Sequence, residues 1–78
     1  MELTRLEIGE QAVVTAVNLN FEARKKLLTY GIGLGTLIRR EYSPSISALV
    51  NLNIKGKAVC LRIKDAELIE VVKYQENE

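Results

Sequence analysis

Few side chains in this 78-residue chain have a type and spacing that chemistry could use, and the first group to test is glycine. In Gly31-Ile32-Gly33-Leu34-Gly35, backbone N–H groups could approach an anion such as phosphate, because no Cβ stands in the way. A dinucleotide fingerprint or P-loop, however, follows a strand and opens a helix. Here the glycines follow a helical pattern and open a strand pattern, and no Gly-Lys-Ser/Thr appears. Their spacing predicts a helix C-cap followed by a turn that needs positive φ.

The second group is basic: Arg24, Lys25 and Lys26, with Arg39 and Arg40 further on, and Tyr30 and Tyr42 close to each set. Such a cluster could meet nucleic-acid phosphates, as on other small barrels. Against this, the net charge is only +1, and three Tyr and one Phe give little base-stacking surface. A solvated face or an acidic protein partner fits the balance better, since local clustering can steer a partner to one face. These seven residues form the candidate partner-binding set.

Two further groups are weak. Cys60 lies in the apolar run Ala58-Val59-Cys60-Leu61, where a thiol is expected to be buried as a small hydrophobe. Without His or a second Cys it lacks the partner that would make it a nucleophile or a soft-metal site. Glu67 and Glu70 would share a hard cation only if that segment were helical. The surrounding Leu68, Ile69, Val71 and Val72 predict a strand and two solvated carboxylates.

What is missing narrows the chemistry further. With no His, the chain has no side chain that titrates near neutrality unperturbed, and His-based triads and zinc sites are excluded. No catalytic residue, cofactor site or metal site is expected, and the chain is read as a binding protein rather than an enzyme. A single Cys gives no internal disulfide and so no sign of an oxidising compartment. The longest apolar run is four residues, far below the ~20 that span a bilayer, and the first residues lack a signal-peptide core. A cytoplasmic protein is the expectation.

The elements that must position these groups follow from periodicity. Hydrophobic residues make up 47% of the sequence but aromatics only 5%, so the core must be aliphatic. One helix is predicted over 21–30, capped by Asn18 or Asn20, with Ala23, Leu27 and Tyr30 on its apolar face, Leu28 beside them, and a basic opposite face. Strands are predicted over 12–17, 36–42, 48–54, 57–63 and 68–72. In the third, Ala48, Val50, Leu52 and Ile54 share a face. In the fourth, Val59, Leu61 and Ile63 do so, with a tight turn at Lys55-Gly56 between the two. A short turn over 64–67 leads into the last strand. Together these predict a mainly β domain over 1–75, a small partly open barrel of about five strands with one helix after the first, and a polar tail at 76–78.

The ordered motifs resemble the FeoA domain. They run from Leu3-Thr4-Arg5-Leu6 and Gly9-Glu10 through Arg24-Lys25-Lys26-Leu27-Leu28-Thr29-Tyr30-Gly31-Ile32, Gly35-Thr36 and Pro44. They end with Ala58-Val59-Cys60-Leu61-Arg62, Ala66 and Ile69-Glu70-Val71. Three departures from that family's pattern occur: Leu34 for a usual Pro, Tyr30 for a usual Leu, and the stretch Ser45-Ile46-Ser47 for a Gly-Asp-Pro-like turn.

The resemblance implies an SH3-like barrel and a supporting role in bacterial ferrous iron uptake. The implied partner is the cytosolic part of a FeoB-type permease, which carries a GTPase domain, contacted without carrying iron. Two alternatives are a small nucleic-acid-binding barrel and a free-standing relative of the SH3-like domain that ends metal-dependent repressors. Met1 stands immediately before the barrel, which favours a free-standing domain. An open edge at the last strand would permit a homo-oligomer.

Overall fold

Apolar residues recurring at every second position produce five strands whose inward side chains form one aliphatic core. The computed structural model describes residues 1–44 and 48–75; the turn at Ser45-Ile46-Ser47 and the expected tail at 76–78 lie outside the described residues. A 3-10 turn at Leu3–Arg5 precedes β1 (Gln11–Val17), α1 (Phe21–Thr29), β2 (Leu37–Glu41), β3 (Leu49–Ile54), β4 (Lys57–Arg62), α2 (Ile63–Ala66) and β5 (Ile69–Tyr74). The sheet order is β4-β3-β2-β1-β5, with every neighbouring pair antiparallel. This is the small SH3-like barrel expected, left open between β4 and β5, which do not pair among the described residues.

The inward positions are aliphatic, among them Val14, Ile38, Val50, Leu52, Leu61 and Ile69, while all four aromatic residues lie at the surface. Each fully buried Leu or Ile contributes ~1.5–3 kcal/mol from the apolar area it removes from water, so a small chain can hold together without an aromatic centre. The β3–β4 hairpin closes through Lys55 (φ 53) and Gly56 (φ 85) in a two-residue turn, with Ile54 opposite Lys57. Positive φ at both central residues matches the right-handed twist of the strands, and Asn53 Oδ1 accepts the Gly56 N–H at 3.0 Å.

Several expectations need correction. Cys60 is exposed, not buried: Val59 and Leu61 point inward, so the pleat turns Cys60 outward, where its Sγ–H donates to Asn51 Oδ1 across the pair at 2.9 Å. Ile63 does not continue β4 but opens the single turn α2, whose buried Ala66 packs under the sheet. Within α1 only Leu27 is buried; Tyr30 and Leu28 are exposed, so the expected apolar face is one residue wide at the core. The last strand begins one residue later and runs to Tyr74.

Two polar devices close the end of the barrel. Arg40, on the inward side of β2, donates from Nη1 to the Leu6 carbonyl at 3.0 Å and the Thr4 carbonyl at 3.3 Å. It thereby ties the 3-10 turn, with buried Leu3 and Leu6, over the core. Glu10 accepts from the Glu7 N–H at 2.8 Å and pairs with Lys73 on β5 at 3.0 Å. The backbone bond from Glu7, and then Lys73, hold its carboxyl below the ordinary carboxylate value of 4.5.

Arg40→Ala is expected to lower the unfolding free energy by about 1.5–3 kcal/mol, the range for hydrogen bonds to charged groups, measured by urea denaturation. For Glu10 the lowered folded-state value means that its contribution is complete above 4.5 and is lost as pH falls through the lower folded value. Thermal unfolding of Glu10→Gln beside the parent protein should therefore show a gap at pH 7 that closes in that acid range.

Candidate functional site

A concavity lies between α1 and the second half of β1. Asn20 caps α1 by accepting the Ala23 N–H at its Oδ1, 2.8 Å. At the other end Ile32 N–H bonds Leu27 O at 2.9 Å and Gly31 N–H bonds Leu28 O at 3.0 Å, a Schellman motif that requires Gly31 at φ 88. The chain then passes through Gly33 and Leu34 into β2. The groove of about 630 Å³ between α1 and β1 is floored by Ala16, Val17 and Ile32 and walled by Phe21, Leu28 and Leu34.

The chemistry of this groove is apolar with a cationic rim. Phe21, Leu28 and Leu34 are 69%, 63% and 73% exposed, among the most exposed large apolar side chains of the described residues, and all three line this groove. Arg24 and Lys25 line it, and no Asp or Glu does. Neither cation has an ion-pair partner among the described residues, whose four ion pairs involve other groups. An apolar trough with two uncompensated positive charges suits an acidic, apolar protein segment better than a metal ion or a phosphate.

The basic residues singled out in the sequence are not brought together in one patch. Arg24 and Lys25 face the groove, and Lys26 faces a smaller hollow with Phe21, Glu22 and Thr29. Arg39 is paired with Glu41 at 2.9 Å, and Arg40 is engaged by the N-terminal turn. Tyr30 forms the C-cap of α1, and Tyr42, beyond the end of β2, offers its carbonyl to Asn51 Nδ2 at 3.0 Å.

The glycine loop uses its N–H groups internally. Gly31 N–H bonds Leu28 O, Gly33 N–H bonds Thr36 Oγ1 at 3.0 Å, and Gly35 N–H bonds Val14 O at 2.8 Å. Glu67 follows α2 and Glu70 sits on β5 beside the Met1 amino group; no group of three or more His, Cys, Asp or Glu placed to hold a metal occurs among the described residues.

Sequence reasoning missed Phe21, Leu28 and Leu34 as a surface. The signal was present in α1 itself, where Phe21 and Leu28, seven residues apart, lie on one side of the helix but off the Leu27 stripe. Gly33 matters here for space rather than for conformation: a Cβ on it would fall 2.9 Å from Leu28 Cδ2, and its φ is not positive. Gly33→Ala is expected to swing the Leu28 side chain and reshape the groove while stability stays within about 1 kcal/mol. Methyl NMR of Leu28 together with a urea titration checks both halves of that statement.

Comparison with known proteins agrees with the fold. The FeoA domain profile matches residues 1–73. The chain is 27% identical over 71 residues to a Campylobacter jejuni protein named "Putative Fe(2+) transport protein A", covering 91% of this chain and 96% of that one. It superposes on the solution NMR structure of the FeoA protein from Chlorobium tepidum with a TM-score of 0.89 and 26% identity, over 100% of this chain and 74% of that one. A crystal structure of an iron uptake regulatory protein (FeoA) shares the fold at a TM-score of 0.84 and 20% identity, over 95% and 97% of the two chains. With nearly its whole length matched by that profile, the chain belongs to the FeoA domain family.

Proposed function

We propose that this protein is a non-enzymatic accessory factor of bacterial ferrous iron uptake that docks in the cytoplasm on the cytosolic part of a FeoB-type permease and modulates it. Family membership supplies the transport context, through relatives named for Fe(2+) transport. The observation that carries docking is the groove between α1 and β1: exposed Phe21, Leu28 and Leu34 contribute nothing to the core, and the Arg24 and Lys25 charges beside them are uncompensated. A surface of this make-up is costly to leave in water and gains by being covered, while its charges favour acidic partners and speed encounter. No helix of the described residues is long and apolar enough to cross a membrane.

The experiment is a titration of isotope-labelled protein with the permease's cytosolic domain and with the full-length permease. Amide shifts are expected to gather on Thr15–Asn18 and along α1. The double variant Arg24→Glu/Lys25→Glu, altered only at exposed positions, should weaken binding by at least about tenfold, equivalent to ~1.4 kcal/mol. No binding to either form at high micromolar concentration would overturn the proposal, as would shifts confined to the β3–β4 hairpin.

A further inference from the structure

We infer that the groove takes an extended segment of the partner protein, with apolar side chains set between acidic ones, held as an added strand by the backbone of Val17. The inference rests on the docking reading for the partner's existence and goes beyond it in stating how the partner binds and what chemistry its segment carries.

The argument begins with which way β1 points its backbone. Val14 N–H bonds Thr36 O at 3.0 Å and Val14 O accepts from Gly35 N–H at 2.8 Å, so Val14 faces the β2 side. Asn18 N–H bonds Leu68 O at 2.8 Å, so Asn18 faces β5. In a regular strand, residues four apart face the same edge. The reversal comes from the irregularity between Val14 and Ala16, where Val14 is opposite Val71 but Ala16 is opposite Glu70, leaving Thr15 as an extra residue. Counting from Asn18, Val17 directs its N–H and C=O away from β5.

On that side there is no strand to receive them. The pairing of β2 covers only Gln11–Val13 of β1, against Leu37, Ile38 and Arg39. Outside its ladder with β5, Val17 makes no backbone hydrogen bond among the described residues. Its side chain packs against the core while its open backbone edge borders the groove. A free N–H and C=O beside an apolar trough is the arrangement that recruits an added strand, with backbone bonds providing register and the trough receiving alternate side chains.

The other occupants fit less well. A helix bound in the groove keeps its hydrogen bonds to itself and leaves the Val17 groups unmet. A second copy of this chain would offer its own open edge, β4, which carries Lys57 and Arg62 at its ends and would place like charges against Arg24 and Lys25. Acidic residues flanking a run of about four apolar ones, two to each face of the added strand, meet both the rim and the walls.

The test uses the full chain and the synthetic peptide acetyl-Asp-Glu-Val-Ile-Val-Leu-Asp-Glu-amide. Controls are the same peptide with Lys at every acidic position and two versions N-methylated at alternate apolar residues, odd in one and even in the other. The parent peptide should shift the Val17 amide and slow its hydrogen exchange. The Lys peptide should bind at least about tenfold more weakly. One N-methylated version should bind like the parent while the other loses about tenfold, since only alternate peptide N–H groups face the added edge.

Equal binding by both N-methylated peptides, or by the Lys peptide, would overturn the inference. So would failure of the parent peptide to bind. If the permease binds and the parent peptide at saturation does not displace it, strand addition falls and the docking reading stands. If the peptides follow the alternate pattern and the permease does not bind, the docking reading falls and the extended-segment site stands.

Discussion

The surface of this protein is organised by the point at which β1 stops pairing with β2. Over Gln11–Val13 the strand is paired on both sides, and Ala12 and Val14 are buried. Past Val14 the extra residue Thr15 reverses the strand's edges while β5 keeps its pairing as far as Val17. The chain must leave the sheet there, and the helix that follows returns to it only through Gly35 and Thr36, bonded back to Val14. A groove between α1 and β1 is the geometric result of one unmatched residue and a short β2. Its floor is apolar because Val17 and Ile32 belong both to the groove and to the margin of the core.

What could be read in the sequence was whatever depends on local chemistry or strict alternation. Asn20, Gly31 and the Lys55-Gly56 turn act through their own backbones and neighbours, so their roles follow from residue type and position. The alternation of Val50, Leu52 and Ile54 set a face because any other register would put Asn51 and Asn53 in the core. Cys60 shows how the same rule is missed when a short apolar run is read as uniformly buried: with Val59 and Leu61 inward, the pleat leaves Cys60 outside. The irregularity at Thr15 left no comparable mark. The stretch 12–17 is apolar or small throughout, and an extra residue in such a run changes neither composition nor apparent period. The β1 side of the groove was missed for the same reason, since it depends on a register that only pairing with β5 and β2 reveals, whereas its wall of Phe21 and Leu28 was legible in the helix period.

The edges of the open sheet differ in ways that bear on partner choice. The outer side of β5 is covered by the first residues, with Val71 N–H bonded to Met1 O at 2.8 Å and Glu2 bridged to Glu70. The outer edge of β4 is guarded by the charges of Lys57 and Arg62, the usual protection against uncontrolled strand pairing. The Val17 backbone on the groove side has no paired strand, and Arg24 and Lys25 line the same groove from α1. In the proposed complex, selectivity by charge and attachment by backbone fall to different residues.

The energetics of α1 point the same way. A helix of nine residues is marginal alone in water, and this one buries a single side chain, Leu27, worth ~1.5–3 kcal/mol. Its caps fix where it starts and stops; they do little to fix how closely it lies against β1. Phe21 and Leu28 are the side chains that would fix it, and both are exposed toward the groove. An occupant that covers them adds the packing the helix lacks. In the proposed complex the free energy of occupancy enters the fold at α1, a short helix with one buried side chain, and so couples the position of its basic residues to the occupant.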